Sequence, residues 1–450
     1  MYAEPTGRAV NDRAIVEQLP VGLRSWLTLE RFHLHKADMF QDRARDAAFD
    51  RRYFPQHGQP FRLPCYQVPR KYLYVHGCQH DAMDRQPFSA GSAADERILF
   101  PIHPSALDDF EPFLTEADAR DASEDGLFLW AVPTSSTRTL LVWPDGAGDR
   151  AVFVKASLHS QIFGDRRITR IRAGRSVGLN GLVEQVSAHL PPALRVVPEV
   201  LGLSTRHSLD SGALIRLVPS EIKDGRAQVA PLFSLLGGDE GRVPLLLALL
   251  ERTDMEPVRF VDELLCASFA PLWAELTFRH GLILEAHGQD LLLGLTAQGV
   301  PTGHFYYRDL EGLQVDWELR RHLGWPEPDL PNGWAWREAY GTWGYAYCDF
   351  LWYKWRISLF DYLRLVLFEV ESSLREWHDR GLVRGPKCGE GEITMLFSRH
   401  LFAALERLFN QSLGAPYDIL GSLNRFLIEL MQFRKVEMRG LPVDHRSMAS

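Results

Sequence analysis

The sequence predicts an α+β fold of several packed subdomains, and three observations carry that expectation. A chain of 450 residues is too long for one small core. Short segments rich in aromatic and branched residues, separated by turn residues, fill positions 96 to 215. From about 243 onward, apolar residues recur at helical spacing instead. The expected division is a short N-terminal region at 1–95, a β-rich region at 96–240 and a mainly helical region at 241–450.

Within 1–95, "AIVEQLPVGLRSWL" and "KYLYVHGC" are the ordered-looking pieces. His33 and His35 alternate as strand residues do, and His76, Cys78, His80 and Asp81 have metal-like spacing without a second matching pair. The β-rich region contains "LFPIHP", "GLFLWAVP", "TRTLLVW" and "AVFVKASL", with "DGAGD" (145–149) as a hairpin turn. A helix is expected at 180–190, closed by Pro191 and Pro192. Further on, "VRFVDELLCASFAPLWAELTFRHG" reads as a helix stopped at Gly281. Three strand candidates follow, "LILEAH", "LLLGLT" and "HFYYRDL". The stripe Leu359, Leu363, Val366, Leu367, Val370 and Leu374 is core of a later helix.

Composition narrows the function. The longest apolar run, Val243 to Leu250, is too short to span a bilayer, and the first residues have no apolar core of the secretory kind, so the sequence points to a cytoplasmic protein without a membrane partner. Five cysteines with no CxxC point to free thiols. A net charge of -8 argues against a nucleic-acid partner. Against that balance, five arginines lie between Arg166 and Arg175, and no acid follows Arg166 until Glu184. Such a run is either a solvated face or an anion site.

A hairpin turn centred between Gly146 and Ala147 would place Arg138 opposite Lys155. Two cations about 5 Å apart repel by roughly 3 kcal/mol at an effective dielectric near 20, so the pair would call for an anion between them. The hydroxyls of Thr134, Ser135, Ser136, Thr137 and Thr139 would add donors suited to phosphate oxygens. Glu285, His287, Gln289 and Asp290 interrupt the apolar stretch "LILEAHGQDLLLGL", and "YRDLEG" follows with Asp309 and Glu311. Glu285, Asp309 and Glu311 are hard oxygen ligands of the kind Mg2+ takes beside nucleotide phosphates. Eleven of the residues from Trp325 to Trp355 are aromatic, a density that core packing or an adenine pocket would each explain.

In this order, "LFPIHP", "VPTSSTRTL", "FVKASLHSQIFGDRR", "EAHGQD" and "YRDLEG" resemble the signature segments of the IucA/IucC family, the siderophore synthetases that work independently of nonribosomal peptide synthetases. The resemblance is clear over 96–315. It implies a cupped, hand-like fold, a homodimer, and a reaction in which ATP and Mg2+ adenylate a carboxylic acid that is then passed to an amine or hydroxyl substrate. It also implies that Ser136, Arg138 and Lys155 contact phosphates and that Arg167 bridges nucleotide and carboxylate. His287 would lie against the reacting carboxylate or the α-phosphate, and Asp309 would face metal or nucleotide. The chain departs from the pattern in three places. Asp290 stands where the family has Asn, Phe163 where it often has Thr, and no HPxHPxxK segment precedes "LFPIHP". Asp290 points to a less anionic acid than citrate, or an amino-bearing one. Two other readings remain open from the residues alone: a kinase-like phosphotransferase, with no Gly-rich loop before Lys155 to support it, and a nucleotide-binding homologue without turnover.

Overall fold

The computed structural model describes residues 12–33, 51–55, 59–77, 88, 96–136, 138–158, 173–238, 243–326 and 358–410. The chain divides into two compact units, 1–177 with 197–228, and 178–196 with 229–450. Helices and mainly antiparallel sheets make it an α+β protein, as the sequence predicts.

In the first unit seven strands form one antiparallel sheet. Their spatial order is β1 (Phe61–Arg62), β6 (Leu129–Pro133), β7 (Thr139–Pro144), β8 (Val152–Ala156), β11 (Ser208–Arg216), β10 (Glu199–Thr205) and β3 (Leu73–Gly77). A second sheet joins β4 (Arg97–Pro101), β2 (Cys65–Pro69) and β5 (Arg120–Asp121). The short strands before residue 95 thus pair directly with those that follow it. Side chains alternate across a strand. Val152, Val154 and Ala156 accordingly join Leu140, Val142, Ala213 and Ile215 in the core shared with Ile98, Phe100, Phe110 and Phe113. Phe153 and Lys155 take the opposite face. There Phe153 meets Trp26, ring centroids 4.7 Å apart, on helix α2 (Val21–Phe32), which follows the short α1 (Asp12–Val16). Leu23, Trp26, Leu27 and Glu30 recur at helical spacing and are buried. His33 ends this helix as its C-cap and is not a strand residue; His35 lies outside the described residues.

The register around "DGAGD" differs by one residue from the expected one. Thr139, not Arg138, lies opposite Lys155, with Leu141 opposite Phe153. The connection is longer than a two-residue turn, because Ala147 N–H donates to Pro144 and a 3-10 turn, Gly148–Arg150, follows. A one-residue slip turns a side chain to the other face. The cross-strand repulsion between Arg138 and Lys155 therefore does not arise in this form. After β4 comes α3 (Leu107–Glu116), and the helix expected at 180–190 is α4 (Ala173–Val186), extended by a 3-10 turn to His189. Its early turns carry Gly174, Gly178 and Gly181, poor helix formers that hide the start from a propensity reading.

The second unit holds a four-stranded sheet in the order β12 (Ala227–Pro231), β14 (Leu291–Thr296), β15 (Pro301–Tyr307) and β9 (Leu194–Val196), with β9 parallel to β15. A two-stranded ribbon pairs β13 (Leu282–Ile283) with β16 (Gln314–Val315). The expected strand "LILEAH" therefore ends after Ile283, and Glu285 to Asp290 form an irregular connection. Helix Ala267–His280 continues from Pro257–Val261 through a π-helical turn, Asp262–Cys266, and stops at Gly281, whose φ of 63° is the left-handed C-cap expected there. The Tyr362 hydroxyl donates to the Leu265 carbonyl in that turn at 2.9 Å. Cys65, Cys266 and Cys388 are free thiols and buried; Cys78 and Cys348 fall outside the described residues.

Candidate functional site

Lys155 sits in a row of directly opposed residues that runs across one face of the seven-stranded sheet: His76, Gly202, Leu214, Lys155 and Thr139. The side chain is buried, which an ammonium group tolerates only with partners. Over the same row lies the amino end of α4. Ala173 and Val177 pack on Leu214, a Cβ on Gly202 would stand 2.8 Å from that of Ala173, and one on Gly174 would stand 2.9 Å from the His76 ring. Only glycine permits either approach. His76 is thereby packed as a structural ring, and burial lowers its pKa. The first turn of α4 contains no acid. The amino-terminal half of this helix, the positive half of its dipole, thus packs on the strand next to the lysine's. Both features favour a polyanion.

The "TSST" turn before β7 is held from within. Thr134 Oγ1 donates to the Thr139 carbonyl at 2.8 Å, and Thr139 N–H donates to Ser136 at 2.8 Å. Ser135 gives both its hydroxyl (2.5 Å) and its N–H (3.3 Å) to the buried carboxylate of Glu30, which also accepts Trp26 Nε1 at 2.9 Å. Thr134 and Ser135 are fully buried, whereas Ser136 and Arg138 are half-buried. The turn therefore uses its first two hydroxyls to fix its shape and leaves Ser136 and Arg138 at its accessible end.

In the second unit, "EAHGQD" is shaped by hydrogen bonds that the sequence does not announce. Arg308, buried, donates Nε to the Gln289 carbonyl and its backbone N–H to the Asp290 carbonyl, both at 2.9 Å. The Tyr307 hydroxyl accepts Glu285 N–H and donates to the Asp309 carbonyl, each at 3.3 Å, which ties the two motifs together. Burial, with Asp290, Glu285 and Asp309 around it, pushes the phenol pKa well up, so it stays protonated. Asp309 itself adopts a left-handed φ of 68°. The Glu285 side chain packs against Gly312: a Cβ there would stand 1.8 Å from Glu285 Oε2 and would have to displace it.

His287 accepts the Gln289 N–H at Nδ1, 3.0 Å away. Burial pulls its pKa down to about 4. At neutral pH the ring is therefore uncharged with its proton on Nε2, a fixed donor for an oxyanion. Asp361, on the segment opened by Ser358, is pushed up to about 7 by burial and by the Glu285 charge, against the pull of Arg364. Glu285, Asp290, Asp309 and Asp361 thus share one acidic neighbourhood. Among the described residues, however, no group of three or more His, Cys, Asp or Glu could hold a metal ion. Glu285, Asp309 and Glu311 do not form a protein cage.

The structure thus places Thr134, Ser135, Ser136, Arg138 and Lys155 together in the first unit, and Glu285, His287, Asp290, Asp309 and Glu311 together in the second. Arg167, most of the arginine run, Phe163, Cys78, His80, Asp81 and the aromatic stretch from 327 lie outside the described residues. Glu30, Tyr307, Arg308, Gly312 and Asp361 were not singled out by the sequence reading. Tyr307, Arg308 and Gly312 stand inside the quoted "YRDLEG", and Asp361 is the one acid in "SLFDYLRLVLF", so a signal existed for four of them.

Compared with solved structures, the chain superposes on ATP-bound aerobactin synthetase IucA from a hypervirulent pathotype of Klebsiella pneumoniae with a TM-score of 0.60 and 18% identity, over 88% of this chain and 74% of that one. Aerobactin synthetase IucC from the same source gives 0.58 and 16%, over 89% and 77%. The fold is that of the IucA/IucC synthetases. The petrobactin biosynthesis protein AsbB from Bacillus anthracis str. Sterne gives 0.57 and 14%, over 79% of this chain and 62% of that synthetase. Residues 242–339 match the family described as ferric iron reductase FhuF-like transporter. No curated protein matches the chain in sequence. In this synthetase fold no helix among the described residues is long and apolar enough to cross a membrane.

Proposed function

We propose that the protein is an ATP- and Mg2+-dependent ligase that adenylates a small carboxylic acid and condenses it with an amine or hydroxyl, as in siderophore or related biosynthesis. The observation that carries this reading is the synthetase fold together with a buried His287 whose Nδ1 is held as an acceptor by Gln289 N–H, which puts the ring proton on Nε2. Adenylation brings a polyanion and a carboxylate together, and its transition state gains charge around the α-phosphorus. Ser136, Arg138 and Lys155 bind phosphate oxygens, Arg167 bridges nucleotide and acid, and His287 donates to the carboxylate or the α-phosphate. Mg2+ would arrive with the nucleotide, neutralising phosphate charge, and one or two of Glu285, Asp309 and Glu311 suffice for an ion that keeps waters and phosphates as its other ligands. Aminolysis of the adenylate needs positioning more than a dedicated base.

The test is product identity in ATP, Mg2+ and a panel of carboxylic acids, with hydroxylamine as trap. AMP, pyrophosphate and the hydroxamate of one acid are expected; ADP with an acceptor would establish a phosphotransferase, and nucleotide binding without product a non-catalytic homologue. Asp290 favours an acid less charged than citrate, so Asp290→Asn is expected to improve citrate turnover relative to the wild type. Unchanged citrate turnover in that variant would overturn the point. The FhuF-like segment favours a second reading, ferric iron reduction, which a ferric-chelate reductase assay without ATP separates from the first.

A further inference from the structure

Of the arginines buried among the described residues, Arg216 and Arg320 are held on very different terms. Arg216 is 3% exposed and gives Nε and Nη2 to Glu199 at 3.0 and 2.5 Å, a complete ion pair. Arg320, 1% exposed and in helix Trp317–His322 of the second unit, makes a single hydrogen bond, from Nη1 to the His280 carbonyl at 2.7 Å. Its Nε and Nη2 are buried without a partner. Burial alone pulls its pKa down to about 10, and no carboxylate offsets it. Trp317 and Trp325 flank the guanidinium, 5.8 and 5.6 Å from their ring centroids. Ring faces soften a buried cation but leave its N–H groups unmet.

The two unmet nitrogens are the pair that matters. Nε–H and Nη2–H project in parallel from one edge of the planar group, at the spacing of two oxygens of a carboxylate or similar anion. The neighbouring imidazole supplies no counter-charge. Burial, and then Arg279, Arg320 and His189, hold the neighbouring His280 imidazole at about 4 against a bond to the His189 carbonyl. The Thr277 hydroxyl, three residues before His280 on the same helix, is likewise buried and unmet, a further donor.

We propose that Arg320 holds one small anion, of carboxylate or comparable inorganic type, side-on at Nε and Nη2, in a site separate from the nucleotide and acid residues described above. The anion completes the ion pair that Glu199 supplies to Arg216. It makes a structural centre joining the end of helix Ala267–His280 to helix Trp317–His322.

The experiment is thermal unfolding of the full chain at constant ionic strength, with formate, nitrate or chloride replacing the bulky anion gluconate over a hundredfold range, in the wild type and in Arg320→Met. The expected result is a rise of about 3 °C in the wild type that is absent in the variant. A rise with formate and nitrate alone identifies a planar anion, and an equal rise with chloride a spherical one. Indifference of the wild type to all three, or the same rise in Arg320→Met, overturns the site. Should the variant fail to fold, bromide-soaked crystals of the wild type decide: an anomalous peak within hydrogen-bond reach of Nε and Nη2 is expected, and water alone there contradicts the proposal.

Discussion

The lysine region and the imidazole region are built by opposite means. Lys155 is placed by regular pairing on both sides, with Thr139 on one neighbouring strand and Leu214 on the other, so its position is determined many times over. His287 stands in an irregular connection whose course depends on a few side chains, Arg308, Tyr307 and the bare Cα of Gly312. A substitution at the sheet position should therefore remove a charge and little else. One in the support of the loop should move a catalytic group without touching the ligand.

The largest effect is expected at Lys155. Lys155→Met keeps the strand pairing and should lower kcat/KM for ATP by about 10³. At His287 the two nitrogens can be separated. Gln keeps a donor near Nε2 and Asn an acceptor near Nδ1, so His287→Gln should lose about tenfold and His287→Asn about a hundredfold in kcat. Equal losses would refute the assignment of Nε2 as donor. Gly312→Ala tests the loop by displacing the Glu285 side chain that packs on it. Its Cβ would occupy the place of the Glu285 carboxylate, so a drop of about tenfold in kcat and about 2 kcal/mol in stability is expected, measured by kinetics and urea unfolding.

Glu30→Gln loosens the first region in the same indirect way. An amide cannot accept from Trp26 and from both Ser135 donors at once, so KM for ATP should rise about fivefold with kcat unchanged, and amide exchange across 134–139 should speed up. An unchanged KM would show that the turn holds its shape without this carboxylate. The smallest effect concerns acid. Burial holds His103 near 3 and His280 and His287 near 4, below the ordinary 6.5 of the unfolded chain. The unfolded state binds more protons between those values, so this stabilisation is full above pH 6.5 and is lost as pH falls toward 4. Asp361, held near 7, works in the other direction and loses its contribution as pH rises through 7. The histidine share is isolated by comparison: the fall in melting temperature from pH 6.5 to 4.5 should shrink in His280→Asn.

The same contrast explains what was legible in the sequence. Strand composition and the Gly281 stop fixed most elements of both units, because alternation and capping are local. The pairing of Arg138 with Lys155 was misjudged by one residue because the register rests on a 3-10 turn after "DGAG" that has no distinct sequence mark. "EAHGQD" and "YRDLEG" stood out as polar breaks in apolar runs. Their supports did not, since Tyr307 reads as a strand aromatic, Glu30 as an exposed helical acid and Arg308 as one charge among several. Side chains that act through buried hydrogen bonds look ordinary until the backbone they hold is seen.

The central claim is an acyl adenylate formed from ATP and a carboxylic acid. It is tested most directly by exchange of labelled pyrophosphate into ATP, with Mg2+ and each of a panel of acids but no nucleophile. Exchange that depends on one acid and is abolished in Lys155→Met is the result expected; no exchange with any acid, while ATP still binds, would contradict it.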